Sequence, residues 1–150
     1  MNVSIYSRRA VCELIADGFP ENTAVISFYS KDTGGRGDHT PVDYAGKPAR
    51  LYYVCAPDAD IDALQYFGLN IDTYMADADR LAAFIKQAVN DGLDIICQCD
   101  YGQSRSAACC AAIFEYYEHT GISVFADYRY YPNQLVFNKV LDALRSVSVE

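Results

Sequence analysis

Short apolar segments with the character of strands alternate along the chain with longer segments that have helical periodicity. The strand-like segments are residues 3–6, 23–28, 51–55 and 95–97. The last of them is apolar throughout, which is typical of a strand buried in a parallel sheet. The alternation predicts an α/β fold in which a mostly parallel central sheet is flanked by helices.

Four helices are predicted from capping residues, glycines and apolar residues at i, i+3 and i+4. They run from Ser7 to Gly18, from near Asp72 or Thr73 to Gly92, over residues 106–119 with Gly121 as the stop, and from Asn133, directly after Pro132. In sheets of this kind ligands bind beyond the carboxyl ends of the strands. The segments that follow residues 54 and 96 are therefore the candidates for a functional site.

Length and charge narrow the possible functions. The 150 residues predict one domain over 1–150, and an apolar fraction of 51% is enough for a sizeable core. No apolar stretch is long enough to span a membrane, and the first residues do not look like a signal peptide. The net charge of −8 repels nucleic acid and anionic membrane surfaces. We expect a cytoplasmic protein whose partners are neither nucleic acids nor membranes.

Six cysteines are present, most of them inside apolar runs, where cysteine behaves as a small hydrophobic residue. They are Cys12, Cys55, Cys97, Cys99, Cys109 and Cys110. A long chain with a large core does not need a disulfide framework. The spacing of Cys97 and Cys99 does not fit a zinc knuckle, and His39 and His119 lie far away in sequence. We predict no metal and no organic cofactor.

Residues 31–47 are rich in Gly, Asp and Pro and predict a long surface loop. The loop contains Arg36-Gly37-Asp38, which matches an integrin-binding motif. Because the chain shows no secretion signal, we interpret this tripeptide as a solvated turn.

The chemistry of the sequence concentrates in the segment between the fourth strand and the third helix, Cys99-Asp100-Tyr101-Gly102-Gln103-Ser104-Arg105-Ser106. A loop at a helix N-terminus turns successive backbone N–H groups inward and binds anions, and Gly102 allows a backbone shape that other residues resist. Arg105 offers a planar fork to two phosphate oxygens. The positive electrostatic field of these N–H groups and of Arg105 favours a thiolate at Cys99. A thiolate there is placed for in-line attack that gives a phosphocysteine. Ser106 either donates a hydrogen bond that helps this thiolate to leave or caps the helix.

This segment resembles the signature loop of the protein tyrosine and dual-specificity phosphatases, which reads His-Cys, five residues, Arg, then Ser or Thr. The similarity covers about residues 50–145, including the strand and general-acid loop at 51–58 and the Tyr131-Pro132-Asn133 start of the last helix. More weakly, the N-terminal part is similar to compact bacterial and phage versions. The resemblance implies a cysteine-dependent phosphomonoester hydrolase. Its substrates would be phosphotyrosine or phosphoserine/threonine proteins, or a small phosphomonoester.

The resemblance also implies an upstream Asp that protonates the leaving oxygen, which chemistry requires because a phenolate leaves poorly. Asp58 aligns best, since it follows the strand by the usual few residues. Asp60 and Asp62 are alternatives that the sequence does not separate.

Five loop residues are expected to bind substrate: Asp100, Tyr101, Gly102, Gln103 and Ser104. A carboxylate at the rim repels a second phosphate, which favours a phosphopeptide or a small monoester over inositol polyphosphates. Tyr101 either flanks the substrate ring or packs outside. We interpret Cys97, Cys109 and Cys110 as packing residues rather than as partners that trap oxidised Cys99.

Gln98 stands where the family has His, and it can form hydrogen bonds but cannot carry charge. This departure motivates an alternative, a catalytically weak or inactive phospho-binding module. A rhodanese-like sulfurtransferase also joins a strand, a Cys loop and a helix, but it needs no upstream Asp and often lacks this Gly and Ser. A low-molecular-weight arsenate reductase has the same Cys-to-Arg spacing, with its loop at the N-terminus instead.

Overall fold

A computed structural model describes residues 1–31 and 39–148. Its elements are β1 (Val3–Tyr6), α1 (Arg8–Asp17), β2 (Thr23–Tyr29), β3 (Arg50–Cys55), a 3₁₀ helix (Ile61–Phe67), α2 (Ala78–Asn90), β4 (Asp94–Gln98), α3 (Arg105–Glu118), α4 (Ile122–Ala126) and α5 (Gln134–Ser146). The strands pair in the order β1-β4-β2-β3, and every pairing is parallel. The predicted α/β class with a central parallel sheet is confirmed.

Strand residues alternate between the two faces of the sheet and so build two cores. On β4, Ile95 and Cys97 belong to the larger core, which also contains residues of α2, α3 and α5. Ile96 belongs to the smaller core, together with Val11 of α1. The fold therefore has three layers, and β4 lies in its middle, between β1 and β2.

Helix α3 occupies the centre of the larger core. Every residue from Arg105 to Ile113 is buried, and most of these side chains are Ala or Cys. Small side chains let the helix lie close to the sheet and to α5 at the same time, and a helix that is apolar on all sides belongs in an interior. The packing holds the N-terminus of α3 directly beyond the end of β4.

The predicted cap Ser7 and the predicted helix start at Asn133 are confirmed, and the predicted start of α2 is wrong. Ser7 accepts a hydrogen bond from the Ala10 amide, and Asn133 accepts one from Val136. Helix α2, however, begins after Asp77 rather than near Asp72 or Thr73. The side chain of Asn70 accepts from the amides of both predicted cap residues and folds them into a turn.

The third helix ends differently from the prediction. His119, with a φ of 58°, takes the left-handed position that closes α3. Gly121 instead precedes α4, a short helix that the sequence analysis missed together with the 3₁₀ helix. Among the described residues, no helix is long and apolar enough to cross a membrane.

The segment before β3 is not a surface loop throughout. Residues 32–38, with the Arg36-Gly37-Asp38 tripeptide, lie outside the described residues. Val42 and Tyr44 are buried in the smaller core, and the Tyr44 ring contacts Phe19 edge to face. The predicted surface position is therefore wrong for these two residues, which fill the face of the sheet that α1 leaves open.

Candidate active site

The segment that joins β4 to α3, residues 99–104, is called here the Cys loop. It lies at the carboxyl edge of the sheet, in the middle of the strand order. The Cys99 amide donates to the Tyr6 carbonyl at 3.3 Å, and the Arg8 amide donates to the Asp100 carbonyl at 2.9 Å. These bonds fix the start of the loop against the turn between β1 and α1.

The Cys99 thiol faces the N-terminus of α3. Its Sγ lies 3.0 Å from the Oγ of Ser106, and both residues are buried. Ser106 is the second residue of α3, and Ser104 occupies the cap position. Ser106 is therefore not the cap, and its hydroxyl is within hydrogen-bonding distance of the sulfur.

Arg105 is a buried cation beside the Cys loop. It is the first residue of α3, is 5% exposed, and donates from Nη1 to the Ala56 carbonyl at 3.0 Å. Ala56 follows β3 directly, and its own amide donates to the Tyr29 carbonyl. The guanidinium thus ties the Cys loop to the segment that follows β3, where the predicted general acid lies.

Asp58 is held against the Cys loop by two hydrogen bonds. Its Oδ1 accepts from the Ser104 hydroxyl at 2.7 Å and from the side-chain Nδ2 of Asn133 at 2.9 Å. Asn133 also donates to the Ala59 carbonyl at 3.0 Å, so the start of α5 fixes this carboxylate from the far side. Sequence reasoning marked Asn133 only as a helix start and missed this contact.

The other two candidate carboxylates have different surroundings. Asp60 accepts from the Ala63 amide at 3.0 Å and caps the 3₁₀ helix. Asp62 lies in the first turn of that helix and is exposed. Asp58 is the one of the three that is hydrogen-bonded to a residue of the Cys loop.

The predicted substrate-binding residues face different directions. Tyr101 is 77% exposed, and Gln103 is exposed while its carbonyl accepts from the Tyr131 amide at 2.8 Å. Asp100 is half-buried. Gly102 is buried against the backbone of Tyr6 and Ser7, in the turn between β1 and α1, and the Ser104 hydroxyl already bonds Asp58.

Gly102 supports a prediction about the shape of the Cys loop. It has a φ of 68°, and a Cβ there would lie 2.7 Å from the Ser7 amide nitrogen. Gly46 has nearly the same φ with open space around it. Gly46→Ala is therefore expected to lower the free energy of unfolding only through the strain of a left-handed backbone, by about 1–2 kcal/mol. Gly102→Ala must in addition displace the loop, and we expect a larger loss of stability together with a raised KM for p-nitrophenyl phosphate.

Denaturant unfolding and KM measured side by side for the two glycine variants check this expectation. Equal losses of stability in both, with KM unchanged in Gly102→Ala, would contradict the close packing of the loop against the turn between β1 and α1.

Gln98 belongs to a buried polar cluster on the opposite face of the sheet from Cys99. Its Oε1 accepts from the hydroxyls of Ser27 and Tyr44, the latter at 3.0 Å, and Ser27 is its register partner on β2. Its Nε2 is buried without a hydrogen-bond partner among the described residues. Burial raises the pKa of Tyr44, so its phenol stays protonated as a donor. The cluster fixes the residue before Cys99 without any charge.

Sequence reasoning singled out Gln98 but missed the two hydroxyls that bond it. Alternation along β2 places Ser27 on the same face as Val25, which is a usable signal. Nothing in the sequence indicates Tyr44, because it precedes β3 in a segment without periodicity.

The cysteines around Cys99 are buried thiols. Cys97, Cys109 and Cys110 all belong to the larger core, as packing residues would. A hydrogen bond with Cys109, and then burial, raises the pKa of Cys97. Burial raises the pKa of Cys110 to about 12. Thiols that stay protonated at neutral pH are poor nucleophiles. Within residues 1–31 and 39–148, no three His, Cys, Asp or Glu side chains converge as metal ligands would.

Comparison with solved structures supports the same architecture. The chain aligns with the crystal structure of human DUSP28 over 95% of its own length and 91% of that chain, with a TM-score of 0.55 and 19% identity. It aligns with PTPMT1 in complex with PI(5)P over 96% of its own length and 90% of that chain, with a TM-score of 0.56 and 14% identity. Both are dual-specificity or tyrosine phosphatases. No protein-family model matches the sequence, and a search of curated proteins gives no match. At these identities the likeness shows the phosphatase fold.

Proposed function

We propose that this chain is a cysteine-dependent phosphomonoester hydrolase that acts through a phosphocysteine at Cys99. The observation that supports it most is the convergence of three groups on one loop. The Cys99 sulfur lies 3.0 Å from the Ser106 hydroxyl, the buried Arg105 begins the same helix, and Asp58 is hydrogen-bonded to Ser104. A nucleophile, a phosphate-binding cation and a carboxylic acid are the parts that phosphomonoester hydrolysis requires.

In the first step the backbone amides of the Cys loop and the Arg105 guanidinium bind the phosphate oxygens. The Cys99 thiolate attacks phosphorus, an S–P bond forms, and the bond from phosphorus to the leaving oxygen breaks. Asp58 gives its proton to that oxygen, so an alcohol or phenol departs rather than its anion.

In the second step water attacks the phosphocysteine, and Asp58, now a carboxylate, takes the proton from that water. The S–P bond breaks, inorganic phosphate forms and the thiolate is restored. The Ser106 hydroxyl donates a hydrogen bond to the departing sulfur, which stabilises the charge that develops there. Gln98, held by Ser27 and Tyr44, keeps the loop in place.

The proposed substrates are proteins that contain phosphotyrosine or phosphoserine/threonine, or a small phosphomonoester, and no metal or organic cofactor takes part. Hydrolysis of p-nitrophenyl phosphate and of a phosphotyrosine peptide by the purified chain, with EDTA and a reductant, tests the proposal. Turnover that EDTA does not reduce is the expected result. Turnover that depends on added metal would contradict it.

A phospho-binding module is the second candidate, and Gln98 in the family's His position is the observation that favours it. A binding module would retain affinity for a phosphopeptide and would show no turnover at any pH. The same assay, combined with a binding measurement, separates the two functions.

The general acid gives a further prediction. Asp58→Asn keeps the size of the side chain and its acceptor oxygen but cannot give up a proton. We expect kcat for a phosphotyrosine peptide to fall by about 10²–10³-fold. The loss for p-nitrophenyl phosphate is smaller, because its leaving group needs less protonation. Asp62→Asn, the same change at an exposed neighbouring carboxylate, is the matched control. Equal turnover of Asp58→Asn and wild type would move the acid to Asp60 or Asp62.

A further inference from the structure

Two cavities meet along α5 beside the proposed site. The first, of about 470 Å³, begins at Asp58 and Ser104, and the second has about 460 Å³. The two share three lining residues and together form what we call the α5 groove. The groove runs from Asp58 past Ile61, Leu135 and Asn138 to Asp142 and Ser146.

The α5 groove is elongated along the helix. Its α5 residues lie about one turn apart, as one stripe of a helix does, and they extend from residue 134 to residue 146. At about 1.5 Å per residue the stripe is roughly 18 Å long. An extended peptide covers that distance with about five or six residues.

The floor of the groove exposes aliphatic side chains. Ile61 is 56% exposed and Ile71 is 50% exposed, and Leu135 lies between the two cavities. Branched aliphatic side chains that share one groove offer apolar area that an occupant would remove from water.

The rim of the groove is acidic. Asp60, Asp72, Asp79 and Asp142 line it, against one cation, Lys139. None of these carboxylates forms an ion pair with another described residue. An occupant that brings positive charge is attracted here, and a polyanion is repelled.

We propose that the α5 groove binds the polypeptide beside the phosphorylated residue of a protein substrate and selects basic and aliphatic residues there. The inference rests on the proposed function, because the Cys loop must hold the phosphorylated residue. The groove starts at Asp58, so a chain whose phosphate sits in the loop enters the groove within a few residues. The shape fits an extended chain, the floor fits aliphatic side chains, and the rim fits Lys or Arg.

Binding to Cys99→Ser, followed by fluorescence anisotropy, tests the groove whether or not the chain turns substrate over. The probes are labelled phosphotyrosine peptides of equal length, with Arg and Leu on the N-terminal or the C-terminal side, and matched peptides with Glu in place of Arg. On one of the two sides we expect the basic peptide to bind about tenfold more tightly than its acidic match. Added salt reduces the difference, because the rim charges are exposed.

Asp142→Lys in the same background reduces this preference several-fold, because it adds a cation to the rim. Glu118→Lys makes the same change of charge at the far end of α3 and retains the preference. Equal binding of basic and acidic peptides on both sides, or an unchanged preference in Asp142→Lys, would overturn the proposal that the groove selects the substrate polypeptide. Turnover of p-nitrophenyl phosphate by the wild type reports on the proposed function separately, since this small substrate does not extend along the groove beyond Asp58 to the acidic residues of its rim.

Discussion

Replacing Cys99 by Ser is expected to remove turnover and to leave phosphopeptide binding in place. The serine hydroxyl is nearly the same size as the thiol but stays protonated at neutral pH, so it cannot attack phosphorus. The groups proposed to bind phosphate, the loop amides and Arg105, are unchanged. We expect kcat for p-nitrophenyl phosphate to fall by at least about 10⁴-fold while the Kd for a phosphotyrosine peptide changes little.

Steady-state kinetics and fluorescence anisotropy on the same preparation measure both quantities. Cys12→Ser is the matched control. It makes the same chemical change away from the site, because Cys12 is exposed on α1. The control is expected to keep wild-type turnover. Substantial turnover in Cys99→Ser would assign the nucleophile to another residue.

Replacing Arg105 by Ala is expected to remove turnover and binding together. Arg105 is 5% exposed and its guanidinium donates to the Ala56 carbonyl, so its loss takes away the cation and also the link to the segment that carries Asp58. Two charge-assisted hydrogen bonds from a guanidinium to a phosphate in a buried site contribute more binding free energy than an exposed ion pair does. We expect kcat/KM to fall by about 10³-fold or more and phosphopeptide binding to weaken in parallel.

Two further variants sharpen the Arg105 experiment. Arg105→Lys keeps the charge but not the planar fork, so it is expected to lie between the wild type and Arg105→Ala. Arg129→Ala removes an exposed arginine that pairs with Asp127, and it is expected to change neither quantity. Thermal unfolding shows whether each variant is folded. A folded Arg105→Ala that binds phosphopeptide as tightly as the wild type would contradict the assigned role.

Local patterns in the sequence predict the fold and the Cys loop because both depend on neighbouring residues. Short apolar runs, a capping Ser7 and the periodicity of α5 need no distant partner to be recognised. The predicted start of α2 was wrong, and the reason is also local. Asn70 offers the backbone a turn that competes with the helix, and Met75, with a φ of 50°, interrupts it before Ala78.

The remaining features of the site depend on contacts between distant parts of the chain. The choice of Asp58 over its neighbours rests on hydrogen bonds to Ser104 and Asn133, which are 46 and 75 residues away. Tyr44 reaches Gln98 across 54 residues from a segment without periodicity. The α5 groove forms where Ile61 and residues 71–79 lie across from α5, and no pattern within these segments indicates that arrangement.

Covalent phosphorylation of Cys99 is the most direct test of the mechanism. The wild type and Asp58→Asn are mixed with a phosphotyrosine peptide, quenched in acid during turnover, and mapped by mass spectrometry. We predict one phosphoryl group on the peptide that contains Cys99, more of it in Asp58→Asn if the second step slows more than the first, and none in Cys99→Ser. Turnover without phosphorylated Cys99, or a phosphoryl group on a different residue, would contradict the phosphocysteine mechanism.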